Sequence, residues 1–521
     1  AGDPPSAQER PVSKFAPNEE QAKIVEASKD RNMNVAAAAL AGTGKTTTMV
    51  SVAEANPYAS ILYIAYNSST KIEAKGRFPR HVRVVTSHGL AYSHYVNEFG
   101  DRLNAKQPRS RDAARTLGLP EEMTFAHCLT CDTRVKGADG AQAHASHAVI
   151  VERIQGWRIA SLVRRTLERF CYSDFDAPRQ RHVPTVKGID ERVWPAVRVE
   201  VTKLAIRAWN TDITNPEGKL WFTHDCYLKM YQLTKPRISQ RVIILDEAQD
   251  TNDCVWDIIR NQRGKQVILV GDSNQMIYEW RGSKDVMSLL HEAVGTRPMT
   301  ELPLQGSYRF GPEIADAGND FLRMLETDHR MQGLAAHESK VVQEIAAGDE
   351  WDAEIYRTNA GTIGGAMRAL EAGLKVAIVG GGAAIQYLAE AAEALMNGRT
   401  TDHPELVGFQ TWEDVKQYIE EEPEDAGTLV PIVKAIEEYG PQAIIDMTRS
   451  LVKEDIADRI VTTAHKSKGR EWRRVLIGDD FPQPLPGRTP RKEELRLGYV
   501  AVTRGMEWVC LSSLAYARNG I

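Results

Sequence analysis

The chain has 521 residues, 42% hydrophobic and 26% charged, and its 65 basic and 70 acidic side chains give a formal net charge of −5. At roughly 150 residues per domain this length calls for several cores, and no apolar run approaches the ~20 residues of a membrane helix. The mildly acidic balance excludes a uniformly basic nucleic-acid binder, so any DNA contact has to come from a local groove.

The opening AGDPPSAQERPVSK, residues 1–14, lacks the apolar segment of a secretory signal and reads as a flexible leader. An intracellular protein is expected, cytoplasmic or in the nucleoid, or nuclear in a eukaryote. The first strong signal follows at Val35–Ala39, an apolar run suited to a buried parallel strand, which leads into Ala39-Leu40-Ala41-Gly42-Thr43-Gly44-Lys45-Thr46. This fits a phosphate-binding loop with alanine where the leading glycine is more common. Gly42 and Gly44 let the backbone curl its N–H groups inward, and a helix starting near Lys45 adds its positive end. Ala41, Gly42, Thr43, Gly44, Lys45, Thr46 and Thr47 are the expected nucleotide contacts, with Lys45 on the β/γ-phosphates and the Thr46 hydroxyl on Mg²⁺. The bland alternative is a chance match in a glycine loop.

Further along, Cys128-x2-Cys131 precedes His144-x2-His147. The histidine pair is tighter than a zinc finger requires and no core residues separate the pairs, so a solvated loop is preferred over zinc. The other cysteines, at 171, 226, 254 and 510, are too scattered for a disulfide framework. Periodic apolar residues over 150–170 predict a helix.

Arg241-Val242-Ile243-Ile244-Leu245-Asp246-Glu247 reads as a buried strand delivering two carboxylates to a sheet edge. Asp246 is the expected Mg²⁺ partner and Glu247 the group that polarises water; the alternative is a strand end capped by solvated acids. In QVILVGDSNQMIYEWRGS, residues 266–283, Gln275 follows another strand end, where its amide can sense the γ-phosphate or the attacking water. Tyr278 and Trp280 beside Arg281 suit stacking of unpaired bases, although two core aromatics would read the same way. VAIVGGGAA, from residue 376, lacks the spacing of a dinucleotide fingerprint and reads as a strand and turn, and AAIQYLAEAAEALMNGR after it reads as a helix.

Taken in order, these segments resemble the UvrD/Rep/PcrA branch of superfamily one helicases. Phe15-Ala16-Pro17-Asn18-Glu19-Glu20-Gln21 is similar to the family's glutamine motif, which implies that Gln21 reads the adenine edge. ILYIAYNSSTK (61–71) and VVTSHGLAY (84–92) resemble DNA-contacting segments, with Tyr66 and His88 at the matching positions. LPLQGSYRFGPEIA (302–315) implies Tyr308 stacked on adenine and Arg309 on the γ-phosphate. EIYRTNAGTI (354–363) implies DNA contacts from Arg357 and Asn359. VTTAHKSKGREWRRVLI (461–477) implies His465 on DNA and Glu471 near the ribose, and ELRLGYVAVTRGMEWV (494–509) implies Arg504 as a second arginine finger. Ser87, Gly89 and Gly505 depart from the family's usual residues at motif edges. SYRFGPEI, LWFTHDCYLKMYQL (220–233) and HPELVGFQTWEDV (403–415) most resemble F-box DNA helicases and their bacterial and phage relatives; with the chain starting just before the glutamine motif, no F-box is expected.

The resemblance implies an α/β fold of two RecA-like P-loop motor domains, each with an inserted, mainly helical accessory domain. The motifs place the first motor at 15–95 and 220–300, its insert at 96–219, the second motor at 301–363 and 455–521, and its insert at 364–454, since gaps this long are not loops. It implies an ATP- and Mg²⁺-dependent helicase moving 3′ to 5′ on single-stranded DNA and unwinding duplexes in replication, repair or recombination. Single-stranded and forked DNA, and recombinase or replication proteins, are the implied partners of a monomeric motor with no membrane association. Three rivals stand beside it: a translocase that mainly strips proteins from DNA, a helicase-nuclease, for which the sequence after Arg504 leaves no room, and a DNA-binding module using ATP only as a switch.

Overall fold

A computed structural model describes residues 17–131, 133–135, 148–185, 189–278, 282–287, 297–401, 403, 406, 409–421, 429–484 and 489–519. Two six-stranded parallel sheets organise them. The first runs, in spatial order, Met299–Leu304, Asn34–Ala39, Gln266–Gly271, Val242–Leu245, Ile61–Ala65 and Val82–Thr86. Its central strands, VIIL, QVILVG and ILYIA, are buried along their whole length, as unbroken apolar runs covered on both faces must be. Helices Glu19–Ala27, Lys45–Glu54 and Ser68–Arg77 cover one face. The other packs on a larger core fed by Ser87–Asn104, Gly156–Tyr172, Trp194–Ala208, His224–Leu233 and Asp253–Arg260.

The second sheet runs Lys340–Val342, Gly505–Cys510, Trp472–Ile477, Ala353–Tyr356, Arg459–Thr463 and Val376–Ile378. Pro312–Met324 and Lys492–Val502 cover one face, and Asn359–Glu371, Ala383–Met396, Leu429–Tyr439 and Pro441–Ser450 the other. The α/β class with two helix-flanked parallel sheets is therefore the one expected. Both sheets use strands outside the motif-based spans. Met299–Leu304 pairs with the strand before the phosphate loop and carries the first sheet past residue 300. Val376–Ile378 is an edge strand of the second sheet, within the stretch expected as an insert. The first overlaps the start of LPLQGSYRFGPEIA at 302–304 and the second falls in VAIVGGGAA, expected as a strand and turn, but neither segment says which sheet its strand joins.

The first insert adds to its helices a three-stranded antiparallel sheet, Glu122–Cys128 between Thr133–Val135 and Val149–Gln155. The helix expected over 150–170 is thereby corrected: residues 149–155 are strand, and the helix begins at Gly156. The corner needs glycine, because a Cβ at 156 would lie 2.2 Å from the Pro120 carbonyl oxygen. Cys128 is buried and Cys131 exposed, while His144 and His147, the other half of the zinc pattern, lie outside the described residues. Among the described residues no group of three or more His, Cys, Asp or Glu could hold a metal ion, and no helix is long and apolar enough to cross a membrane.

Arg102 clamps the two ends of this insert. Its guanidinium donates to the carbonyls of Asp212, Ile213, Asn215 and Leu220 at 2.7–3.1 Å, pairs with the Asp212 carboxylate at 3.3 Å and lies 4.7 Å over the Phe222 ring. An Arg102→Met protein leaves these buried acceptors unpaired and is expected to lose roughly 2–4 kcal/mol, read as a lower first transition in thermal or denaturant unfolding. His182 supplies a pH test. Its buried ring lies against Phe170 and Phe175, and its Nδ1 accepts the Arg179 N–H at 2.9 Å. Burial, reinforced by Arg181, Lys229 and Arg179, pushes its pKa down to about 4. A depressed folded pKa gives stability that is full above pH ~6.5 and is lost as pH falls toward 4. The thermal midpoint should therefore drop more steeply across that window in the wild-type protein than in a His182→Phe variant.

Candidate active site

The phosphate loop leaves its strand at Leu40, whose N–H donates to the Leu304 carbonyl at 3.0 Å, and the Thr43 hydroxyl bonds back to the Leu40 carbonyl at 2.9 Å. Gly42 and Gly44 have φ of +74° and +76°, left-handed values that favour glycine, and helix Lys45–Glu54 starts directly after. A Cβ at Gly42 would stand 2.4 Å from Ser307 Oγ and 2.7 Å from Arg309 Cβ, so the segment around Arg309 lies on the loop itself. The Tyr308 N–H donates to the Gly42 carbonyl at 2.9 Å. The Tyr499 hydroxyl accepts the Ala41 N–H at 3.2 Å and donates to Asp272 at 3.0 Å. Both cores thus meet at the loop.

Beside it sits the expected adenine group. Gln21 closes a capping box with Asn18, its Oε1 accepting the Asn18 N–H at 3.0 Å, and its Nε2 lies 3.5 Å from the Thr43 carbonyl. The Asn18 amide donates to the Tyr308 hydroxyl at 2.9 Å, and the Tyr308 ring is 47% exposed, open to a stacking partner. Thr47, one turn into the helix, accepts from Arg77 at 2.6 Å.

The acids face the lysine. Lys45 Nζ is 2.8 Å from Glu247 Oε1. Asp246 accepts from the Tyr63 hydroxyl at 2.5 Å and from the Glu247 N–H at 3.0 Å. The two carboxyls are pushed apart. Burial, then the neighbouring Glu247 charge, raises Asp246 to about 6, whereas at Glu247 burial is outweighed by the Lys45 and Lys468 ammonium groups, which hold it below the ordinary range. Lys45 is raised in turn: burial lowers it, but Glu247, Asp246 and Asp272 prevail. Glu247 has φ +49° and ψ +48°, a left-handed conformation costing a non-glycine residue about 1–3 kcal/mol, and its carboxylate is held by Gln249 at 2.6 Å.

Arg504 and Gln275 close the site from opposite sheets. Arg504 is 1% exposed; it donates to the carbonyls of Val500 and Arg470, to Thr503 and, at 3.3 Å, to Gln275 Oε1, and it forms no ion pair among the described residues. Burial and the adjacent Arg309 lower its pKa to about 9. Gln275 donates to Asp272 at 2.8 Å. Arg309 and Glu471, both expected at the nucleotide, pair with each other at 2.6 Å, and Arg309 also donates to the Thr503 carbonyl.

Three of the expected DNA contacts assemble. The Tyr66 and Tyr278 rings stack with centroids 6.2 Å apart and 23° between planes, and the His465 ring lies 6.2 Å beyond Tyr278, whose hydroxyl donates to the His465 carbonyl at 2.9 Å. Lys468 lies 5.6 Å over the Tyr278 ring, pairs with buried Asp250 and donates to the Gln275 carbonyl at 2.5 Å. His88 is 2.9 Å from Asp225, and a cavity of about 320 Å³ runs from Tyr66 and His88 to Asp246, Glu247 and Asp250. Arg357 stands apart. Its guanidinium is committed to Glu494 by two bonds of 2.8 Å, while Asn359 is exposed at the start of its helix, and Trp280 lies outside the described residues.

Four residues that sequence reasoning passed over belong to the site: Tyr63, Asp272, Tyr499 and Lys468. Asp272 and Lys468 stood inside quoted segments, in VGDSNQ and AHKSKG, and a charged residue between apolar or small neighbours was the available signal. Tyr63 and Tyr499 had none, since a buried tyrosine reads as core until its hydroxyl's partner is known.

Comparison with known proteins bears on the same residues. A model described as the UvrD/REP helicase N-terminal domain matches residues 188–292, and one described as the UvrD-like helicase C-terminal domain matches 460–512. Over 95% of its length the chain is 27% identical to F-box DNA helicase protein 1 of Schizosaccharomyces pombe and 26% identical to F-box DNA helicase 1 of Gallus gallus. It covers 57% and 48% of those proteins, so it spans about half the length of the curated relatives it matches. DNA helicase II of Escherichia coli is 28% identical across 27% of this chain and 19% of that protein. The first matched span holds Asp246, Glu247 and Gln275 and the second holds His465, Glu471 and Arg504, so the chain is similar to UvrD-like helicases in segments of both sheets.

Proposed function

We propose that the chain is an ATP-driven DNA helicase that moves 3′ to 5′ along single-stranded DNA, with the two parallel sheets as motor domains and the intervening segments as their accessory domains. The observation that carries this reading is the meeting of Lys45 and Glu247 from the first sheet with Arg309 and Arg504 from the second around one glycine loop. A buried guanidinium without a carboxylate, a lysine among acids and two left-handed glycines fit a Mg²⁺–nucleoside triphosphate.

In this reading Gln21 and Tyr308 hold the adenine, and Glu471 holds the ribose. Ala41 to Thr47 cradle the phosphates, Lys45 leaving Glu247 for the β/γ oxygens. Thr46 and Asp246 are the residues that would hold Mg²⁺, which when bound offsets phosphate charge. Glu247, freed from Lys45, orients and deprotonates the attacking water, while Gln275, Arg309 and Arg504 meet the charge that develops on the transferred phosphoryl group. Because these groups come from both sheets, chemistry requires the sheets to close. Tyr66, Tyr278 and His465 supply the base-stacking track, with His88 and Asn359 at its flanks; Arg357 contributes by fixing its strand end through Glu494. The Lys468–Asp250 pair joins that track to Gln275, so that DNA and nucleotide bias one equilibrium.

Glu247→Gln should retain ATP binding and lower kcat for ATP by about 10²–10⁴-fold in a DNA-stimulated phosphate-release assay. Duplexes with a 3′ tail should be unwound and those with only a 5′ tail should not; the reverse preference would sink the polarity, and displacement of bound protein without strand separation would favour a stripping translocase. Lys468→Met should cost about 3–5 kcal/mol by leaving Asp250 buried without its counter-charge. Combining it with Asp250→Asn should recover stability but not DNA stimulation of ATP turnover; full stimulation in the double variant would reduce the pair to a structural role.

A further inference from the structure

A cleft of about 1000 Å³ lies away from all of these residues, between the two inserts. Arg109, Arg111, Trp157 and Arg158 line it from the first insert, and Tyr387 and Phe409 from the second. Arg115 on the same wall is offset by Asp112 at 3.2 Å, and Glu390 is the other carboxylate among the lining residues. Arg111 and Arg158 form no ion pair among the described residues, so two guanidinium groups face the cleft unneutralised on a chain whose net charge is −5. The Tyr387 ring is 40% exposed and packs 4.8 Å from His403, and Phe409 is braced against Tyr418 at 5.6 Å.

We propose that this cleft is a second single-stranded DNA site, separate from the motor track, in which Arg111 and Arg158 take backbone phosphates and Tyr387, Phe409 and Trp157 stack on bases. Cationic groups interleaved with aromatic faces suit an unpaired strand, whose bases are free to stack, better than a duplex, whose bases already stack on one another. That the occupant is the strand displaced during unwinding rests on the function proposed above; that the cleft takes single-stranded DNA does not.

The test uses the full chain, fluorescently labelled short oligothymidylate, and an oligomer of the same length made of abasic deoxyribose phosphates. Wild-type protein should show two classes of oligothymidylate site. Arg111→Glu/Arg158→Glu should remove one class, weakening it about tenfold or more, with DNA-stimulated ATP turnover unchanged. Tyr387→Ala, which leaves the charge intact, should weaken oligothymidylate at that site without affecting the abasic strand. A single class of site in the wild type, retention of both classes in the charge-reversed variant, or equal binding of the abasic strand would overturn the proposal. Loss of ATPase stimulation in the charge-reversed variant would also overturn it, by making the cleft part of the motor track. If DNA fails to stimulate ATP turnover in the wild type, the motor reading fails, while selective loss of one oligothymidylate class in the variants still supports the cleft.

Discussion

The ion pair between Lys468 and Asp250 is the contact on which the arrangement of the site turns. The two side chains are 7% and 0% exposed and come from opposite halves of the molecule. Desolvating each ion costs several kcal/mol, and the pair is tolerable only because both are further satisfied. Lys468 meets that demand by donating to the Gln275 carbonyl and lying over Tyr278, so one ammonium group is bound at once to the phosphate side and to the stacking side of the cleft. Movement of the second sheet cannot release one without disturbing the other.

A similar logic governs the acids. Glu247 sits in a left-handed conformation, its carboxylate shared between Lys45 and Gln249, while Asp246 is held by Tyr63. Lys45 cannot serve Glu247 and a phosphate with the same geometry, so in the function proposed above nucleotide binding and release of Glu247 are one exchange of partners. Arg504 is the counterpart across the cleft. Buried among carbonyls with its pKa lowered to about 9, it gains most from an anion delivered to it. In the proposed function, an Arg504 guanidinium held only by neutral groups makes closure around a polyanion favourable.

The legibility of the sequence varied with how local each cause was. The phosphate loop, the paired acids and Gln275 could be read because strand, turn and functional residue are contiguous, and the structure puts them at adjacent ends of one sheet. The strand at 149–155 was read as helix because VIVERIQ followed by an amphipathic segment satisfies a helical period until the corner at Gly156 is known. Arg357 matched a DNA-contacting motif, yet its partner Glu494 lies 137 positions away, beyond the reach of any local pattern. The tyrosine hydroxyls of 63 and 499 were silent for the same reason.

Composition, buried strands and glycine-lysine spacing determined by themselves an α/β chain with a glycine-lysine loop after one strand and an acid pair at the end of another, because each depends on the chemistry of neighbouring residues. Tertiary structure alone decided that Tyr499 would hold the Ala41 amide, that Arg309 and Glu471 would pair, and that Lys468 would be buried on Asp250. Those contacts join residues more than 160 positions apart in sequence, and only tertiary packing, between the sheets for Tyr499 and Lys468 and within the second half for Arg309, sets the distance and the desolvation that give them their strength.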